Sequence, residues 1–85
     1  MFTLQDALKA AKALNITFDK FTPWEFLEGI NIEAEHGKTN PITNVTNDDL
    51  ILTAKIALAH LNEFPNYYNN EYGLKTFENF LQSQL

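Results

Sequence analysis

The chain's 85 residues are 45 % hydrophobic, with seven Phe, three Tyr and one Trp, and carry a net charge of −5. That length suits a single domain over 1–85 with one modest core, and the zero Cys count excludes disulfides, thiolate metal sites and Cys nucleophiles. All six cations are Lys; without guanidinium forks or a cationic cluster, direct nucleic-acid binding is not expected.

No apolar run reaches the roughly 18 residues that a membrane span needs. The N-terminal stretch also lacks the basic start and apolar core of a signal peptide. A cytoplasmic location, in a bacterium or an infected host cell, and no membrane association are the expectations.

Taken in order, Thr3 with Asp6 gives a capping hydroxyl and an acid three residues on, followed by apolar residues at helical spacing, so a first helix is predicted over 4–14 with Asn15 closing it. Ile16, Phe18 and Phe21 anchor the linker that follows. Thr22-Pro23-Trp24-Glu25 is the strongest start signal: a Thr cap, Pro at the first helical position and Glu completing a capping box. Trp24 is read as a core anchor. Gly29 is expected to interrupt this second helix and Asn31 to cap a fresh turn, giving one kinked helix or two short ones before Gly37 stops the segment.

Residues 38–46 read as a loop, and the polar run ending in Asp48-Asp49 as the cap of a central helix that reaches Phe64 and is ended by Pro65. A last helical region is predicted over 66–83, kinked near Gly73, with Leu74, Phe77, Phe80 and Leu81 inward and Asn66, Asn69, Asn70 and Glu71 solvated. The expected fold class is all-α: a small compact domain of about four helices with the central one buried on most sides.

Within the central helix, His60 and Glu63 are titratable groups among Ile, Ala and Leu. A helical wheel leaves one clearly solvated sector, at Lys55 and Asn62, so His60 is expected to point inward with Glu63 on the same side. A buried polar group needs a partner. Glu33 and His36, three residues apart and therefore on one face of a turn, are the candidates. Two readings follow. In the first, Glu33, His36, His60 and Glu63 form a metal-free network that fixes helix docking, with His60 on Glu33 or a backbone carbonyl and His36 on Glu63. In the second, the four hold a divalent transition metal, Zn, Fe or Mn, with Glu35, Asp49, Tyr67 and Tyr68 in support or lining a pocket. One of the two tyrosines is expected to pack inward and bond a carboxylate. No Ser or Cys nucleophile accompanies the cluster, so covalent catalysis is not expected.

The segments Glu33-Ala-Glu-His-Gly37, Thr43-Asn-Val-Thr-Asn-Asp-Asp49 and Ala59-His-Leu-Asn-Glu-Phe-Pro-Asn-Tyr-Tyr68 resemble the pattern E-x-E-H-G, T-N-V-T-N-D-D and A-H-L-x-E-x-P-x-Y-Y of a family of short bacterial and viral proteins of unknown function. The resemblance spans about residues 4 to 71. It implies that Glu33, Glu35, His36, Asn44, Thr46, Asp48, Asp49, His60, Glu63, Pro65, Tyr67 and Tyr68 match the family's motif, and it implies no activity. The functional expectations are a protein-interaction module of phage or bacterial origin, with a protein partner, or a metal-binding and hydrolytic protein; the first leaves the chain a non-enzyme.

Overall fold

A computed structural model describes residues 1–68 and 74–84, with side chains outside 74–77. Among the described residues four α-helices form, α1 (Leu4–Ala13), α2 (Pro23–Glu33), α3 (Leu50–Glu63) and α4 (Leu74–Ser83), with a single 3-10 turn at Ala34–His36. There is no strand among the described residues. The all-α expectation holds. None of the described helices is long and apolar enough to cross a membrane.

Local signals set the first two helix starts. Thr3 and Asp6 exchange side-chain and backbone hydrogen bonds at the head of α1, and Thr22 and Glu25 repeat the exchange at α2. Asn15 adopts a φ of 57° and closes α1, with the Ile16 amide returning to the Ala11 carbonyl at 2.9 Å and the Asn15 amide to Lys12 at 3.3 Å. That pairing satisfies carbonyls the helix end would otherwise leave open.

Ala7, Ala10 and Ala11 present a flat face of α1 to the bundle, and Phe26, Ile30, Ala54, Ala57 and Leu61 fill the space between α2 and α3. Small residues let the helices approach closely while the larger ones interdigitate. The main helix-on-helix interface is α2 with α3, and α1 packs against both. Phe18, half-buried, meets Phe21 and Phe26 edge-on at centroid distances of 5.8 and 5.9 Å.

Three expectations about α2 need correction. Trp24 is 66 % exposed rather than a core anchor, because the inward face is set by Phe26, Ile30 and Glu33 and Trp24 falls on the far side of the first turn. Asn31 caps no new turn. Its side chain instead clamps the N-terminus, accepting from the Phe2 amide at 2.8 Å and donating to the Phe2 carbonyl at 3.1 Å. Gly29 does not break the helix, which runs through it to Glu33. A Cβ there would stand 2.6 Å from the Tyr68 ring, so the missing side chain is a seat for that tyrosine.

At the other end of the chain, Phe80 and Leu81 are exposed, not inward. The expectations for Gly73, for Asn69, Asn70 and Glu71, and for the Leu74 and Phe77 side chains lie outside the described residues.

Candidate functional site

The sequence places Glu33 at the last residue of α2, where the helix tightens into the 3-10 turn that carries Glu35 and His36. The tightening turns all three side chains to one end of the molecule. One donor atom from each of Glu33, Glu35 and His36 lies within 4.8 Å of the others. Glu33 is buried, His36 half-buried and Glu35 exposed, so the group runs from the interior out to solvent.

The two oxygens of the Glu33 carboxylate have different neighbours. Oε2 accepts from the Tyr68 hydroxyl at 2.5 Å and lies 3.2 Å from His60 Nδ1, which is itself 3.0 Å from the Tyr68 oxygen. A proton on Nδ1, assigned from these partners, faces both oxygens. Oε1 faces outward, 3.4 Å from His36 Nε2, and the same nitrogen stands 3.5 Å from Glu35 Oε1. Those two separations exceed ordinary N–H···O lengths of about 2.7–3.2 Å.

Burial, then the hydrogen bond to Glu33, pushes the Tyr68 hydroxyl far above its ordinary pKa, which makes it a permanent donor at neutral pH. Tyr67 is also raised, by burial first and the Glu33 charge second. Its ring stacks on His60 at 4.4 Å and 16°, and meets Tyr68 edge-on at 4.9 Å. The two consecutive tyrosines thus grip the imidazole from two directions and fix its plane.

Behind the 3-10 turn, the loop expected over 38–46 is tied down by the polar run. The His36 carbonyl accepts from the Val45 and Thr46 amides at 2.6 and 3.1 Å. Asp48 Oδ1 accepts from the Lys38 amide at 2.9 Å, and Asn44 Oδ1 from the Asn47 amide at 2.8 Å. Asn47 and Asp48 take positive φ values of 52° and 63°, a conformation these short polar side chains tolerate. Gly37 sits where a Cβ would collide with the Asp48 carboxylate. Asp49 caps α3 by accepting from the Leu52 amide at 2.9 Å; its role is the cap and not support of the cluster.

Of the residues proposed from sequence, the structure brings Glu33, His36, His60, Glu35, Tyr67 and Tyr68 together and leaves two outside. Glu63 is exposed. The solvated sector of α3 also takes in Leu52, Ala59 and Glu63, so the wheel drew it too narrowly; His36 accordingly faces Glu33 and Glu35, not Glu63. His60 lies at the core's edge with a third of its side chain exposed. It approaches Oε2 while His36 approaches Oε1, so the two imidazoles flank one carboxylate instead of converging on one point. Gly29 was missed as a site residue, and no local signal marks it, because its neighbour comes from 39 positions along the chain.

The family model described as Protein of unknown function (DUF5661) matches residues 7–79. The chain belongs to that family. No curated protein and no solved structure matches it. The matched span takes in every cluster residue of this family member, from Glu33 to Tyr68, together with the loop that ties them.

Proposed function

We propose that the protein binds a divalent transition metal through Glu33, Glu35 and His36, with Tyr68 and His60 holding the Glu33 carboxylate in place. The observation that carries this reading is the spacing of His36 from each of the two carboxylates. Ligands about 2.0–2.1 Å from a tetrahedral ion stand about 3.4 Å from one another. His36 Nε2 stands 3.4 Å from Glu33 Oε1 and 3.5 Å from Glu35 Oε1. A ligating carboxylate whose second oxygen is hydrogen-bonded from behind is the usual arrangement around such ions, and here Tyr68 and His60 supply those bonds.

Two carboxylates and one imidazole suit Zn, Fe or Mn, and three protein ligands leave room for water. Water bound in that way is the reagent of metal-assisted hydrolysis. Elemental analysis of untagged protein, with melting curves before and after chelation, tests the reading: bound metal lost together with thermal stability supports it. A metal-free protein whose melting temperature ignores both zinc and chelator contradicts it.

A second reading, an interaction module that docks a protein partner, is favoured by Trp24, which stands 66 % exposed on the outer face of α2. Exposed tryptophans are over-represented among binding hot spots. In that case Trp24→Ala abolishes partner capture while leaving the melting curve and any metal content untouched.

A further inference from the structure

Beside the proposed ion ligands lies a cleft of about 310 Å³ bounded by Glu35, His36, Thr39, Asn40 and Thr43. Resting on the metal reading above, we infer that this cleft receives a small neutral polyol. Its size falls at the lower end of small-molecule sites, which run from about 300 to 1,000 Å³, and suits a molecule with one six-membered ring.

Charge decides against an anion. No Lys or Arg is among the five lining residues. Glu35 brings negative charge to the lining with no cation beside it, so a phosphate or carboxylate arriving at the metal-free cleft meets repulsion. Each lining residue carries a polar side-chain group beside its carbon stem, so a ligand with hydroxyls on a carbon ring can bond the one and rest on the other.

What the cleft offers is a set of neutral groups. Asn40 Oδ1 is already bound to the Ile42 amide at 3.0 Å, which leaves its NH₂ as the donor for a ligand. The Thr39 and Thr43 hydroxyls each donate and accept, the same dual capacity that a polyol hydroxyl has. The lining is also held in shape before any ligand arrives. The Thr43 amide bonds the Asn40 carbonyl at 3.2 Å, and the His36 carbonyl is pinned by Val45 and Thr46. A preformed site loses less entropy on binding.

The test is a titration of amide ¹H–¹⁵N NMR spectra with myo-inositol and, separately, inorganic phosphate, on metal-free and zinc-loaded protein. The expected result is movement of the Glu35, Thr39, Asn40 and Thr43 amides with inositol, tighter when zinc is present, and no response of the metal-free protein to phosphate. Thr39→Val, an exposed loop position, should weaken inositol binding about fivefold, the loss expected from one hydrogen bond. Phosphate moving these amides more than inositol in the metal-free protein, or inositol moving none of them in either form, overturns the inference. The two proposals fail separately: zinc bound with inositol silent ends the polyol site alone, whereas inositol shifts without any zinc response end the metal reading and leave the cleft's assignment standing.

Discussion

The Tyr68 hydroxyl donates to Glu33 Oε2 at 2.5 Å, joining residues 35 positions apart in the chain. This bond ties the segment after α3 to the end of α2, and it holds the one carboxylate on which both imidazoles bear. Tyr68 is 1 % exposed and Glu33 3 %, so neither can turn to water if the other is removed. Tyr68→Phe is therefore expected to lower unfolding free energy by about 1–3 kcal/mol in urea denaturation, the loss of a buried hydrogen bond to a carboxylate, with His60 Nδ1 left as the remaining donor to Oε2. The ring itself remains packed, so the cooperativity of the transition is expected to stay as in the wild type.

The same tyrosine explains Gly29. Replacing a helical Gly by Ala ordinarily stabilises by about 1 kcal/mol. Here the added methyl would stand 2.6 and 2.7 Å from two ring carbons of Tyr68. Gly29→Ala should instead destabilise by about 1–3 kcal/mol through overpacking. In a Tyr68→Ala background the same substitution should turn neutral or stabilising, and the double-mutant cycle measures the coupling. Additive effects of the two substitutions would contradict the proposed seat.

Gly37 makes a parallel case at the loop. Gly37→Ala is expected to push Asp48 aside and release the Lys38 amide that its carboxylate accepts from. Hydrogen exchange should report this locally: the Lys38 amide loses protection in the variant, while amides of α1 keep theirs.

Alkali provides a further check. Burial and the Glu33 hydrogen bond raise Tyr68 above its ordinary 10.0. From about pH 10 upward the unfolded chain releases this proton and the folded molecule keeps it, so stability is full below that pH and falls as pH rises toward the folded value. The slope contributed is at most about 1.4 kcal/mol per pH unit. Denaturant midpoints measured between pH 9 and 11 should fall less steeply in Tyr68→Phe than in wild type.

Much of this was legible from sequence where the cause was local. The Thr3–Asp6 and Thr22–Glu25 capping boxes, the closure at Asn15 and the cap at Asp49 each depend on neighbours within a few residues, and each forms. The pairing of Glu33 with His36 came from three-residue spacing in the same way, and Glu33 was one of two partners, beside a backbone carbonyl, that an imidazole expected to point into the core could meet. Where distant parts of the chain decide, pattern failed. Gly29 looked like a helix breaker because Tyr68's ring is invisible from its neighbours, and Trp24 looked like a core residue because size alone does not say which side of α2 faces α3. Glu63 was drawn inward by a wheel whose polar sector was anchored on Lys55 and Asn62; apolar Leu52 and Ala59 also lie in that sector, and periodicity cannot see an exposed apolar residue.

The most direct test of the metal reading follows the side-chain ¹⁵N resonances of the two histidines during zinc titration. The account predicts that His36 Nε2 shifts to a metal-bound value at one equivalent while His60 keeps its Nδ1 proton, and that Glu35→Gln weakens binding at least tenfold, within the range for losing a charged ligand. Resonances of His36 that stay unchanged through excess zinc, or zinc taken up at His60 instead, would contradict it.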